Sequence, residues 1–295
     1  MKIRKSILEH IFDTFNTILL LFMLVVTLFP FWHVAMSSFS DPLAQMAHRG
    51  GVFMPLRPAT IDAYRAVFAN PNVVTGYINT LIYLIVGTAI NIVLTLLGAY
   101  VLSRKDFYFR NHIMLVIAFT MFFSGGMIPT FHVVNTLGLV NTRWAMVIPP
   151  AMSTFNLIIM RTAIATIPDS IEESALIDGA SEVQILLRII IPLSVPIIAV
   201  MCLFYGVGHW NAWFSAMIYL TMRRDLWPLQ LFLREILIQN RADMLVVDYA
   251  PEARAPMVEI IKYAMIIIAT VPIMCVYPML QRYFVKGVMI GAIKG

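Results

Sequence analysis

Long apolar runs dominate this sequence and decide the solvent in which it can fold. The runs are about 17 to 25 residues long, the length of helix that crosses the hydrocarbon layer of a membrane. They raise the composition to 60% apolar and lower the charged fraction to 13%, whereas a soluble domain has roughly 45–50% and 25%. The sequence therefore predicts an all-α integral membrane protein and excludes a soluble globular one.

Six runs are candidate membrane-spanning helices. They cover about Thr14–Met36, Tyr77–Leu102, His112–Pro129, Trp144–Met160, Leu193–Leu220 and Val258–Leu280. The first run follows a basic N-terminus and could belong to a signal peptide, but it is longer than the apolar part of such a peptide, so we interpret it as an uncleaved span.

Six spans place both termini on one side of the membrane. The segments 1–13, 103–111 and 281–295 are short and dense in Lys and Arg, which predicts that this side is cytoplasmic. We therefore expect a cytoplasmic N-terminus (1–13), a transmembrane domain (14–280) and a cytoplasmic tail (281–295).

Charge and cysteine content exclude other classes of protein. The net charge of +5 comes without a basic stripe or a nucleic-acid-reading motif, so anionic lipid headgroups are the expected partners. Cys202 and Cys275 both lie in apolar runs, where a cysteine behaves as a small hydrophobe. We predict neither a disulfide nor a metal site.

Two groups of polar residues interrupt the runs. Tyr83, Gly87, Asn91, Thr95 and Gly98 recur at helical spacing in the second span, as expected either of a helix-packing seam or of a face that lines a pathway. The fifth span carries aromatic and polar residues that could anchor it at the membrane surface or contact a sugar. Both alternatives stay open, and the candidate pathway residues are Asn91, Tyr83, His209, Trp210, Asn211 and Trp213.

The segment between the fourth and fifth spans, about 167–192, is too polar in its first half to cross a membrane. Ser170 with Glu173, and Ser181 with Gln184, fit capping boxes at two helix starts, and Asp178-Gly179 fits a turn between them. Pro192 then closes the second helix or marks entry to the next span. The acidic residues Glu172, Glu173, Asp178 and Glu182 would make this helix–turn–helix a compact, acidic knob that suits a cleft on a soluble partner, whereas a connector on lipid headgroups would be basic.

This segment resembles the EAA loop of binding-protein-dependent ATP-binding-cassette (ABC) import permeases. The resemblance rests on Glu173-Ser174-Ala175, then Asp178-Gly179-Ala180, with Pro192 and Pro196 following at the family's spacing. Ser174 and Leu186 depart mildly from the family's usual small and aromatic residues. The tail 281–295 is similar to that of MalG-like carbohydrate permeases, and the phrases around Phe123–Trp144 and His209–Tyr219 resemble the LplC-like oligosaccharide or alginate-type branch.

The resemblance implies a type I ABC importer permease fold (MetI-like) with six transmembrane helices and a cytoplasmic coupling loop. It implies a subunit that moves a carbohydrate, expected to be an oligosaccharide, across the bacterial inner membrane by alternating access. The implied coupling residues are Glu173, Ser174, Ala175, Asp178, Gly179 and Ala180. The implied partners are a second homologous permease, two ATPase subunits that bind ATP and Mg, and a periplasmic or lipid-anchored solute-binding protein.

A membrane-embedded enzyme and a stand-alone secondary transporter are two other classes of protein with many apolar spans. A membrane-embedded enzyme is disfavoured because the sequence has no HExxH, no GxSxG and no paired intramembrane Asp, and the absence of GxxxxGK[ST] predicts that the chain itself does not hydrolyse ATP. A stand-alone secondary transporter is the alternative. Such a carrier commonly has charges at membrane depth, and only Lys262, near a span end, is a candidate.

Overall fold

The computed structural model describes residues 6–238 and 251–292, and the regular structure in these residues is helical, which confirms the all-α prediction. The helices are α1 (Ile7–Ser38), α2 (Pro42–Ala47), α3 (Asp62–Ala69), α4 (Pro71–Ser103), α5 (Arg110–Phe122), α6 (Met127–Thr136), α7 (Thr154–Ile164), α8 (Asp169–Ile177), α9 (Glu182–Ile185), α10 (Ile191–Leu193), α11 (Val195–Trp210), α12 (Trp213–Tyr219), α13 (Leu229–Ile238) and α14 (Pro251–Ala292). Arg143–Met146 and Arg224–Leu226 form 3₁₀ turns, and Leu186–Ile190 forms a π-helical turn.

Each predicted span coincides with an apolar helix or with a broken one. Among residues 6–238 and 251–292, three helices are long and apolar enough to cross a membrane: Ile7–Ser38, Pro71–Ser103 and Arg254–Val276. Two bent pairs also qualify if each is taken as one span, namely α5 with α6, bent by 114°, and Glu182–Leu193 with α11, bent by 80°. The fourth run contains the shorter apolar helix α7, of 11 residues.

The third, fourth and fifth runs are interrupted where the sequence predicts spans, the fifth of them at Asn211-Ala212 between α11 and α12. In the third run the helix stops at Phe122 and resumes at Met127, and Gly126 has a φ of +82°, which a helix cannot contain. In the fourth run the chain leaves helical geometry between Met146 and Thr154, around Pro149-Pro150. Proline removes an N–H donor and clashes with the preceding turn, so two in succession break the helix.

The chain divides into two compact units, and the first comprises residues 1–70 and 235–270. The side chains of α1 are almost all exposed from Ile7 to Phe29, as expected of a helix whose solvent is lipid. After α1 the chain is fixed by polar contacts: the Val52 amide donates to His33 Nδ1 at 2.9 Å, and the Ser38 and Tyr64 hydroxyls lie 2.7 Å apart.

The second unit, residues 71–234 and 271–295, is built on α4. One face of α4 packs against α7 and α11. Tyr83, Asn91 and Thr95 on that face are buried, and a β-carbon at Gly87 would lie only 2.4 Å from the His209 ring. The small and polar face of α4 is therefore a close helix-packing seam.

Candidate functional site

We call the segment 167–192, which resembles the EAA loop, the EAA segment; it contains a helix, a tight turn and a second helix. α8 ends at Ile177 with Asp178 as its C-cap residue, and Gly179 takes the left-handed conformation with a φ of +80°. The Gly179 amide donates to the Leu176 carbonyl at 3.0 Å and the Ala180 amide to the Ala175 carbonyl at 2.9 Å. These bonds satisfy the last carbonyls of α8 and confirm the predicted turn.

One of the two predicted capping boxes is present. At the start of α9 the Gln184 amide donates to Ser181 Oγ at 3.4 Å, and the Ser181 amide donates to Gln184 Oε1 at 2.9 Å. The box predicted for Ser170 and Glu173 is wrong. Pro168 is extended and α8 begins at Asp169, so Ser170 already lies inside the helix, where its carbonyl accepts from Ser174 Oγ at 2.7 Å.

Arg104, directly after α4, joins both helices of the EAA segment. Its guanidinium forms ion pairs with Glu172 on α8 and with Glu182 at the start of α9, the latter with an N–O distance of 3.0 Å. The Tyr100 hydroxyl donates to the same Glu182 carboxylate at 2.8 Å. Lys105 adds an ion pair with Asp169. We refer to Tyr100, Arg104, Glu172 and Glu182 as the Arg104 clasp.

The clasp reduces the negative charge that the predicted acidic knob offers to a partner. The side chains of Arg104 and Glu172 are 17% and 13% exposed, so this pair is largely shielded from solvent. Glu172 and Glu182 are neutralised within the chain and offer a partner little charge. Glu173 and Asp178 carry the negative charge that remains exposed on the described turn and α8.

The free surface of the EAA segment also has an apolar part, which the sequence analysis missed. Ser174 and Gly179 are exposed, whereas Ala175 and Ala180 pack against the apolar core cluster of the second unit. Beside the exposed residues lie Ile177, 87% exposed, and Leu176, 48% exposed. The sequence feature that could have predicted this apolar surface is a pair of successive large apolar residues directly before an Asp-Gly turn. We call Leu176 and Ile177 the apolar tip.

A second candidate site is a cavity of about 500 Å³ beside the broken end of α11. We call it the α11 cavity; its polar lining consists of Ser153, Asn156, Tyr205, His209, Asn211 and Ser215. Breaks in two chain segments open it, namely the irregular stretch before α7 and the turn at Asn211-Ala212 between α11 and α12. Broken helices at membrane depth expose backbone and polar groups that a transport site can use.

Polar contacts behind the cavity wall hold it in shape. Asn91 Nδ2 donates to the Pro150 carbonyl at 2.6 Å, and Asn91 Oδ1 lies 2.7 Å from His209 Nε2. The Tyr205 and Thr95 hydroxyls are 2.7 Å apart. The seam on α4 therefore positions the residues that face the cavity.

The structure places the six candidate pathway residues in three different surroundings. His209 and Asn211 line the α11 cavity. Tyr83, Asn91 and Trp210 are buried in packing, with the Tyr83 hydroxyl donating to the Leu226 carbonyl at 2.7 Å. The sixth residue, Trp213, is half-buried, and the Arg234 guanidinium lies over its ring, 5.0 Å from the centroid of the Trp213 ring. Asn156 and Ser215, which the sequence analysis did not single out, line the cavity beside His209 and Asn211.

Neither site has the composition of a metal centre. Within residues 6–238 and 251–292 no three His, Cys, Asp or Glu side chains are grouped so that they could hold a metal ion. Cys202 and Cys275 are free thiols.

Comparison with known proteins gives consistent matches along the chain. Residues 107–290 match the family model described as "Binding-protein-dependent transport system inner membrane component". The chain is 38% identical over 287 residues to the polygalacturonan/rhamnogalacturonan transport system permease protein YtcP of Bacillus subtilis, covering 97% of this chain and 99% of YtcP. It is 40% identical over 286 residues to Protein LplC of Bacillus subtilis, covering 97% and 96%.

A solved structure has the same fold. It is the crystal structure of a bacterial ABC transporter involved in the import of the acidic polysaccharide alginate. One of its chains is 31% identical to this one, with a TM-score of 0.89 over 96% of this chain and 100% of that chain.

Proposed function

The chain belongs to the family of binding-protein-dependent transport system inner membrane components, and from this premise we propose that it carries an oligosaccharide through the bacterial inner membrane in an ATP-driven importer. It is a transport subunit and not an enzyme. The observation that carries the proposal is the EAA segment: two short helices held by the Arg104 clasp, with an exposed turn and the apolar tip free for a partner.

The proposed energy source lies outside this chain. From the family resemblance we infer that two ATPase subunits bind ATP and Mg; the sequence of this chain contains no phosphate-binding loop of its own. A second homologous permease would complete the membrane domain, and a periplasmic or lipid-anchored solute-binding protein would deliver the cargo. In this assembly the EAA segment, both termini and the tail 281–295 face the cytoplasm; the last three residues of that tail lie outside the described residues.

The proposed coupling surface has three parts. Glu173 and Asp178 offer charge to the ATPase, and Ser174 and the apolar tip offer contact area. Gly179 shapes the turn. Ala175 and Ala180 instead hold the segment on the core, so that movement of the partner passes into the helices.

The α11 cavity is the proposed part of the translocation pathway that this chain lines. His209 and Asn211 would contact cargo, while Tyr83, Asn91, Trp210 and Trp213 would support the wall. The carbohydrate class follows from the relatives and the alginate transporter. Alternating access would open the cavity to each side in turn.

Purification of the tagged chain from its native membrane tests the proposal. We expect a second permease and an ATPase to co-purify, and ATP hydrolysis to rise when a loaded binding protein is added. The saccharides to compare are pentagalacturonate, an alginate pentasaccharide and maltopentaose. A chain that purifies alone and transports without nucleotide would support the secondary transporter instead.

A further inference from the structure

The wall of the α11 cavity carries polar groups that the chain itself does not use. Asn156 is only 6% exposed, yet the hydrogen bonds of the described residues include none to its side-chain amide. Asn211, which is exposed, and Ser215, which is half-buried, lie on the same wall, and the hydrogen bonds of the described residues include none to their side chains either. Polar side-chain groups that line a cavity and have no hydrogen-bond partner within their own chain are available to a ligand, and a few such groups are what fix the orientation of a bound molecule.

His209 adds a hydrogen-bond acceptor of known orientation. Asn91 Nδ2 donates to the Pro150 carbonyl, so the Asn91 atom that meets His209 is the acceptor Oδ1. His209 Nε2 must therefore carry the proton of this bond. In the neutral ring Nδ1 is then an acceptor, and the hydrogen bonds of the described residues include none to it.

The charge of the cavity wall also limits which ligands fit it. Apart from His209, none of the described residues that line the cavity is acidic or basic. Phe204 and Phe214 give it apolar, flat surface, and both are more than a third exposed. Amides, a hydroxyl and an imidazole acceptor between aromatic rings match the alternating C–H faces and hydroxyls of a sugar ring. A carboxylate would find no cation on this wall.

We propose that the α11 cavity is a saccharide subsite that recognises hydroxyl groups and takes an uncharged part of the cargo. This inference rests on the proposed transport function and adds that different chains of the assembly recognise different groups of the cargo. The chain reads the hydroxyl pattern of the sugar through Asn156, His209, Asn211 and Ser215. The carboxylates of an acidic saccharide are matched by other chains of the assembly.

The test compares one oligosaccharide with and without its charge. The complete complex, with binding protein, is reconstituted in lipid nanodiscs, and ATP hydrolysis is measured against the concentration of pentagalacturonate or of its methyl ester. We expect Asn156→Ala and Ser215→Ala each to raise the half-maximal concentration of both probes about fivefold, the effect of one lost hydrogen bond. His209→Gln, which keeps a donor near Asn91 and removes the acceptor, should act in the same way. Asn135→Ala, the same substitution at an exposed position outside the cavity, is the matched control.

Each outcome has a separate meaning. If Asn156→Ala and Ser215→Ala leave both half-maximal concentrations unchanged while the complex remains intact, the cavity is not a subsite. If Asn156→Ala weakens pentagalacturonate alone, the wall reads the carboxylate and the inference is wrong. A wild-type complex that no saccharide stimulates contradicts the proposed function itself.

Discussion

At the scale of single residues, Arg104 does the most to fix the coupling surface. It lies outside the motif by which the sequence was recognised, yet it holds one acid from each helix of that motif. A residue such as Arg104 cannot be identified from the sequence, because its ion pairs are with Glu172 and Glu182, which lie 68 and 78 residues further along the chain. The motif residues themselves, by contrast, could be read directly from their spacing.

Arg104→Ala should loosen the EAA segment and leave Glu172 as a shielded, unpaired charge. We expect a loss of about 1–3 kcal/mol in stability of the assembled complex and a fall in transport per ATP hydrolysed. Thermal unfolding and a transport-to-ATPase ratio measured in vesicles check both. Arg188→Ala, at an exposed position in the same region, is the control, and equal behaviour of the two variants would contradict a role for the clasp.

Gly179 allows turn conformation and partner fit to be separated. A β-carbon at this position meets nothing within 4 Å inside the chain, so a substitution there acts through the left-handed backbone or through the partner. Gly179→Val should cost about 1–2 kcal/mol, because a branched side chain disfavours that conformation. Gly179→Asn, which tolerates it, should recover assembly measured by co-purification. Failure of both variants would show that the ATPase needs a bare backbone at the turn.

At the scale of elements, periodicity and length predicted the helices well and their interruptions poorly. The run His112–Pro129 has the length of a span, but Gly126 needs a positive φ and turns the chain between α5 and α6. Capping was predicted correctly where Ser181 precedes a helix start. It was wrong at Ser170, because Pro168 sets the start of α8 instead. The α11 cavity arises from two such interruptions, so its residues could not be collected from periodicity alone.

Gly87→Ala should force α4 and α11 apart, because the new methyl group would lie 2.4 Å from the His209 ring. We expect about 1–3 kcal/mol of destabilisation from this overpacking, and weaker saccharide-stimulated hydrolysis as the cavity wall shifts. The melting temperature and the half-maximal pentagalacturonate concentration are the measurements. Gly206→Ala, whose β-carbon would approach only Thr88, at 3.9 Å, is the matched control and should melt like the wild type.

At the scale of the whole molecule, the chain supplies movement and shape but not energy. Its apolar helices, the EAA segment and the cavity are parts of an inner membrane transport component, and in the proposed assembly a second permease and the ATPases are other chains. The family could be recognised from the spacing of the residues in one loop, which in the proposed assembly must fit an ATPase. The chemistry of the cavity could not, because cargo differs among relatives that share the fold.

Uptake by right-side-out vesicles that enclose ATP should therefore depend on nucleotide and on no ion gradient. We expect removal of Mg with EDTA from the compartment that holds the ATPases to abolish saccharide accumulation. Collapsing the proton and sodium gradients with ionophores should leave it unchanged while ATP is maintained. Accumulation that is driven by an imposed ion gradient without ATP would instead identify the chain as a secondary transporter.

The apolar tip affects copies of the subunit that have not yet assembled with their partners. An orphan copy would expose Ile177 and Leu176 to water at the end of a short helix, and that patch would disappear only when an ATPase covers it. We expect membrane quality-control proteases to recognise it as a mark of unfinished assembly. Cells that make this chain in excess over its ATPase should then degrade the surplus, and the abundance of the importer would be set by its scarcest subunit.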